Sequence, residues 1–136
     1  MTKNKYLFNS LWLLLLSISP LSFAADECNL PAKANLETTK RYIQCLDTVI
    51  VKAKQVQNTW IMKRQYELSK IEEETGNTQV SLLFNRSITD HETYTDSSCQ
   101  LRYMLQSPNA TQAAINYKLC EITLINQFTN VLKAAL

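Results

Sequence analysis

Four cysteines, one histidine and a few carboxylates are the residues of this 136-residue chain whose types and spacing bear on chemistry. Cys28, Cys45, Cys99 and Cys120 form an even set with no Cys-x-x-Cys among them. Thiol–disulfide exchange enzymes use the close pair to activate one thiol, so this set reads instead as two structural disulfides. His91 is the sole histidine. A Ser-His-Asp site would have to be assembled around it, a zinc site would lack its usual ligands, and no nucleophile motif lies nearby. Asp90 and Glu92 flank it and are placed to tune a base, but a polar position on a helix face is the simpler reading. Glu72, Glu73 and Glu74 are contiguous, and adjacent residues of a helix do not share a face, so the run reads as solvated. It is the candidate contact for a basic partner. One glycine cannot build a phosphate-binding loop. The expectation is a protein that is not an enzyme and holds no metal and no cofactor.

Disulfides persist where cytosolic reductants are absent, and the N-terminus supplies the route to such a compartment. Lys3 and Lys5 precede an apolar stretch centred on residues 11–18, and Ser22-Phe23-Ala24 puts small side chains at the minus-three and minus-one positions of a cleavage site. Residues 1–24 read as a signal peptide and residues 25–136 as the mature chain, periplasmic or secreted. An uncleaved anchor would need about twenty continuous apolar residues, and Ser17, Ser19 and Pro20 interrupt the run. No later segment is apolar enough to span a bilayer. Of the 14 Lys and Arg, Lys3 and Lys5 leave with the leader, so 12 remain against 12 Asp and Glu. Without a basic excess, nucleic acid is not an expected partner.

The mature length suits one domain, large enough for a core and small enough to gain from staples. After Pro31 the strong backbone punctuators are Gly76 and Pro108, and they divide the domain into three stretches with helical spacing. In the first, Leu46, Ile50, Ala53, Gln57, Trp60, Arg64, Leu68 and Ile71 recur at steps of three and four, an amphipathic pattern widened by Val49, Val56 and Ile61. It predicts a helix from about Leu36 to Glu74, capped by Asn35 or Thr38 and ended by a left-handed Gly76. Thr48-Val49-Ile50-Val51 alone would suit a strand, but no second such run exists to pair with it. The second stretch, Asn77 to Gln106, presents Val80, Leu83, Phe84, Ile88, His91, Tyr94, Cys99, Tyr103 and Met104 on a less regular face. Ser107-Pro108 reads as an N-cap followed by proline at the first helical position of the third stretch. The buried side of that helix is expected along Tyr117, Cys120, Leu124, Phe128, Val131 and Ala135.

Short connections force neighbouring helices to run antiparallel, so the expected fold is all-α, an up-down-up three-helix bundle. That arrangement brings Cys99 and Cys120 to similar heights on either side of the turn and lets Cys28 fold back to Cys45. These two pairings are favoured over the other two connectivities that four cysteines allow. Loops of about 17 and 21 residues would each contribute about 3 kcal/mol by restricting the unfolded chain.

With this cysteine layout on a small exported helical domain, the chain resembles the LprI-like family of bacterial periplasmic proteins, known for lysozyme inhibition. The likeness covers most of Cys28 to Leu132. Its nearest piece is Tyr94-Thr95-Asp96-Ser97-Ser98-Cys99, similar to the family's Tyr-Arg-Asp-x-x-Cys, and Cys120 and Leu132 keep the spacing of its last helix. Thr95 stands where the family has arginine, the usual upstream tryptophan is absent, and Phe128 replaces an arginine of the last helix. The resemblance implies a protein that binds a secreted muramidase and spares the cell wall, with Tyr94 and Asp96 as scaffold beside Cys99. Such an inhibitor must block the sugar cleft or engage the two catalytic carboxyl groups. Glu72 to Glu74 would steer association with a basic lysozyme. The alternative is an immunity protein against a toxin delivered to the periplasm, or an envelope-stress module with another protein target.

Overall fold

The computed structural model describes residues 28–134. The expectations for the signal peptide, its cleavage site and Ala135 therefore lie outside the described residues. Three helices follow one another: α1 (Leu36–Thr75), α2 (Gln79–Met104) and α3 (Ala110–Lys133). Among the described residues there is no strand, and Thr48 to Val51 sit inside α1 with Ile50 on its buried side. An isolated β-branched run has no partner strand, whereas as helix it places Ile50 in the core.

α1 is 40 residues long, about 60 Å. Its start is a reciprocal box in which the Asn35 side chain accepts from the Thr38 N–H at 2.8 Å and Thr38 Oγ1 accepts from the Asn35 N–H at 2.8 Å. It ends at Gly76, whose φ of 70° lets its N–H reach the Glu72 carbonyl at 2.8 Å. Glu72 also closes the start of α2. Thr78 offers no side-chain cap there, and Glu72 Oε1 accepts from the Ser81 N–H at 3.2 Å.

The turn into α3 differs from the expectation. Ser107 is not the cap and Pro108 is not the first helical residue: residues 105–107 continue turning against the end of α2, and Asn109 caps α3 by accepting from the Gln112 N–H at 3.0 Å. Asn is as good a cap as Ser, and the backbone bonds from Leu105, Gln106 and Ser107 to carbonyls of α2 keep the chain from starting α3 sooner.

Cross-helix bonds fix the topology. Lys54 meets Glu121, Gln57 meets Ile125 and Arg64 meets Leu132, so α1 and α3 run parallel while α2 returns between them in sequence, antiparallel to both. α3 packs along both partners, whereas α1 and α2 meet closely near the Gly76 turn, through Glu72 to Ser81 and Gln65 to Asn85. The core is built by α1 and α3: Leu46 and Ile50 against Ile115, Ile122 and Ile125. Burying each such side chain contributes about 1.5–3 kcal/mol.

Being packed on two sides, α3 needs two apolar lines. Tyr117, Cys120, Leu124 and Phe128 form the one toward α2, as the spacing predicts. The more deeply buried line, Ile115, Ile122, Ile125, Thr129 and Leu132, faces α1 and was not among the expected core positions. Val131 is exposed, contrary to expectation. On α2 only Cys99 is fully buried, and Leu83, Tyr94, Tyr103 and Met104, expected inside, are exposed. Cys28–Cys45 and Cys99–Cys120 are both bonded, with Cα separations of 5.8 and 5.5 Å.

Candidate functional site

Away from the Gly76 turn, α1 and α2 part, and a groove of about 400 Å³ opens between them with α3 as its floor. α1 supplies Lys54, Gln57 and Asn58, α2 supplies His91, Glu92 and Asp96, and α3 supplies Tyr117 and Glu121. The polar positions of α1 reach it because they fall in or beside the apolar phase of the helix, where Gln57 and Arg64 interrupt the hydrophobic repeat.

Each polar group has a definite role. Lys54 Nζ lies 2.6 Å from Glu121 Oε1. Gln57 Nε2 donates to the Ile125 carbonyl at 3.3 Å. The His91 ring stacks on Phe128, with centroids 4.2 Å apart and planes 15° apart, and its Nε2 is 3.3 Å from Thr95 Oγ1. Burial holds the imidazole pKa below its usual value, opposed by the charge of Glu92, so at neutral pH the ring is uncharged. Tyr117 donates a long bond of 3.5 Å to Asp96 Oδ1. Burial, then the charges of Glu121 and Asp96, raise the pKa of its phenol, which therefore stays protonated.

The hydroxyl beside His91 belongs to Thr95, one turn away on the same helix, and among the described residues no carboxylate hydrogen-bonds the ring. Among the described residues no group of three His, Cys, Asp or Glu is gathered to hold a metal ion, and no helix is long and apolar enough to cross a membrane. The polar lining of the groove combines the carboxylates of Glu92, Asp96 and Glu121 with Lys54, the phenol of Tyr117 and the amides of Gln57 and Asn58.

Beside the groove lies the outward side of α2 over residues 93–105. Tyr94 is 59% exposed, Leu101 60% and Leu105 72%, with Met104 beside them, while Tyr103 is on the flank of Cys99, toward α3. Tyr94, Leu101 and Leu105 are spaced by seven and four residues and so share one flank of the helix. Asp96 and Arg102 are the only charges in this segment, and both turn toward α3, Asp96 into the groove and Arg102 into a hollow beside Leu119. A second hollow, of about 380 Å³, is lined by Tyr103, Met104 and Tyr117, and Tyr117 also lines the groove.

The structure thus separates the residues of the family-like motif. Cys99 is buried in its disulfide, Asp96 rims the groove, and Tyr94 is exposed instead of packing beside the bridge. The reason is geometric: Asp96 and Cys99 are one turn apart, while Tyr94 falls on the opposite flank. The acidic run is also divided. Glu72 is half-buried and engaged with Ser81, and Glu73 and Glu74 are exposed. Lys54, Gln57, Tyr117 and Glu121 were not singled out as a site from the sequence, and the one signal for them was a polar Gln57 in an apolar phase. Compared with known protein families, curated proteins and solved structures, the chain matches none.

Proposed function

We propose that this protein is an exported, disulfide-stapled binding module that sequesters a muramidase of the lysozyme class. The observation that carries the binding role is the outward flank of α2 over residues 93–105, where Tyr94, Leu101 and Leu105 stand exposed and the segment's two charges, Asp96 and Arg102, both exposed, lie off that flank. A solvent-facing helix side ordinarily carries charge, and contiguous exposed apolar surface marks a place where another protein docks. Aromatic residues and methionine are enriched in such interfaces, and Tyr94 and Met104 supply them here. Two disulfides suit work outside the cytoplasm. The muramidase assignment rests on the motif from Tyr94 to Cys99, with Tyr94 now read as a contact residue and not as scaffold.

The test is calorimetric titration of the purified protein against a panel of lysozymes, paired with a cell-wall turbidity assay. A stoichiometric complex with at least one is expected, and Leu101→Glu should weaken it about tenfold or more, the effect of placing a charge in an apolar interface, without lowering the melting temperature. If no lysozyme binds, the partner is another protein, and a periplasmic toxin neutralised by this module becomes the better account.

A further inference from the structure

We infer that the outward flank of α2 pairs with the same flank of a second copy of this chain, antiparallel about a two-fold axis at Tyr94, and that this dimer hides the surface proposed for the partner. The masking rests on the reading of that flank as a docking surface; the pairing does not. Leu83, Ser87, Asp90, Tyr94, Ser97, Leu101 and Met104 follow one another at steps of four, three, four, three, four and three, and all are exposed on α2. An ideal helix repeats every 3.6 residues, so a stripe that keeps a strict seven-residue repeat suits the seam of a helix pair. Turned end for end, the stripe fits itself. Leu83 comes level with Met104 and Leu105, Ser87 with Leu101, Asp90 with Ser97, and Tyr94 with its own image. Small residues stand where large ones arrive: the Ser87 and Ser97 hydroxyls bond back to the Phe84 and Thr93 carbonyls of their own helix at 2.7 Å, and each leaves a gap for the side chain opposite.

Charge selects the orientation. Asp90 is the one charged residue on the stripe, with Arg86 of its own helix 3.7 Å away. In a parallel pair Asp90 would stand against Asp90 of the second copy, a like-charge contact, whereas the antiparallel pair sets it against neutral Ser97. Arg86 and Arg102 come level with each other in that arrangement but lie on opposite sides of the seam, so they do not face. The area suits a contact that opens. Leu83, Tyr94, Leu101, Met104 and Leu105 are each more than half exposed. At about 100 Å² apiece they bury about 1,000 Å² in the dimer, the lower limit for a specific interface.

The experiment is analytical ultracentrifugation of the purified protein from micromolar to millimolar concentrations, where a reversible monomer–dimer equilibrium is expected. Leu101→Glu, at an exposed position, should weaken the dimer about tenfold or more while leaving the melting temperature of the dilute monomer unchanged. Ser97→Lys should tighten it about threefold at low salt, because the antiparallel register brings the new ammonium to Asp90 of the second copy, whereas a parallel pair would set it against its own image. A monomer at every concentration, a dimer that Leu101→Glu leaves intact, or a weaker dimer in Ser97→Lys overturns the inference and leaves the flank to another protein. Mixed with a lysozyme that binds, the protein should sediment as a complex holding one copy, and a complex that keeps the paired dimer overturns the masking. Self-association with no lysozyme bound removes the muramidase alone; a lysozyme complex without self-association removes the pairing alone.

Discussion

Arg64 sits in the apolar phase of α1, yet its charge is not stranded. Its Nε donates to the Leu132 carbonyl at 2.6 Å, its other nitrogens bond the Ala134 carbonyl and Glu67, and its guanidinium carbon lies 6.0 Å from the centroid of the Trp60 ring. The last carbonyls of a helix lack internal partners and carry the negative end of its dipole, so a buried guanidinium there satisfies both. Arg64→Met keeps the bulk and removes the donors, and should lower unfolding stability by about 1–3 kcal/mol in urea melts; a change near zero would mean that water replaces the bonds. His91 gives a prediction in pH. Its folded pKa lies below the ordinary 6.5, chiefly through burial, so the unfolded chain binds the proton more tightly and stability falls as pH drops from 6.5 toward the folded value. His91→Gln should flatten that slope, and a difference between the two proteins that is the same at pH 5.5 and 7.5 would exclude the account. Both residues were legible as polar interruptions or as a lone titratable group. Their long-range partners, 37 to 70 positions away in α3 and its C-cap, were not, because helical periodicity reports which side is buried and not against what.

Among the elements, α2 depends most on a covalent tie. Cys99 is its one fully buried residue, and the bridge to Cys120 closes a loop of 21 residues onto α3. The double change Cys99→Ala with Cys120→Ala should cost about 2–4 kcal/mol. The loss should fall unevenly: hydrogen exchange should accelerate through the second half of α2, while amides around Leu46, Ile50 and Ile122 keep their protection, since that core is made by α1 and α3. Uniform loss of protection would show that α2 is integral to the core. The helices themselves were readable from the sequence because caps and breakers are local: Asn35 and Gly76 bound α1 as expected. The face of α2 was less so, since its apolar residues divide between the core and the exposed outward flank, and a single stripe cannot describe both. The α3 line facing α1 escaped for the same reason, as a helix packed on two sides carries two overlapping periodicities.

At the scale of the whole molecule the helices are staggered, and the stagger sets where the bundle is weak. α3 ends at Lys133, level with Arg64, so the last eleven residues of α1 extend past it with only the first turns of α2 for company. In this two-helix projection Leu68 is the one buried hydrophobic residue, helped by half-buried Ile71, Val80 and Phe84. Few buried contacts mean a low free energy of local opening, so amides of residues 68–75 and 79–85 should exchange well before those of the α1–α3 core. Gly76→Ala probes the same region from its turn. An added Cβ would meet nothing within 4 Å, so the penalty is purely that of holding an L-residue at φ 70°, about 1–2 kcal/mol. That loss should appear as faster exchange in the projection and leave the proposed docking flank at residues 93–105 unchanged, with affinity for the proposed partner within about twofold of the parent, as for a remote site with no shared contacts. Were Gly76→Ala instead to weaken partner binding as much as Leu101→Glu, the projection would belong to the interface, and the exposed Glu73 and Glu74 at its tip would regain the contact role that their sequence first suggested.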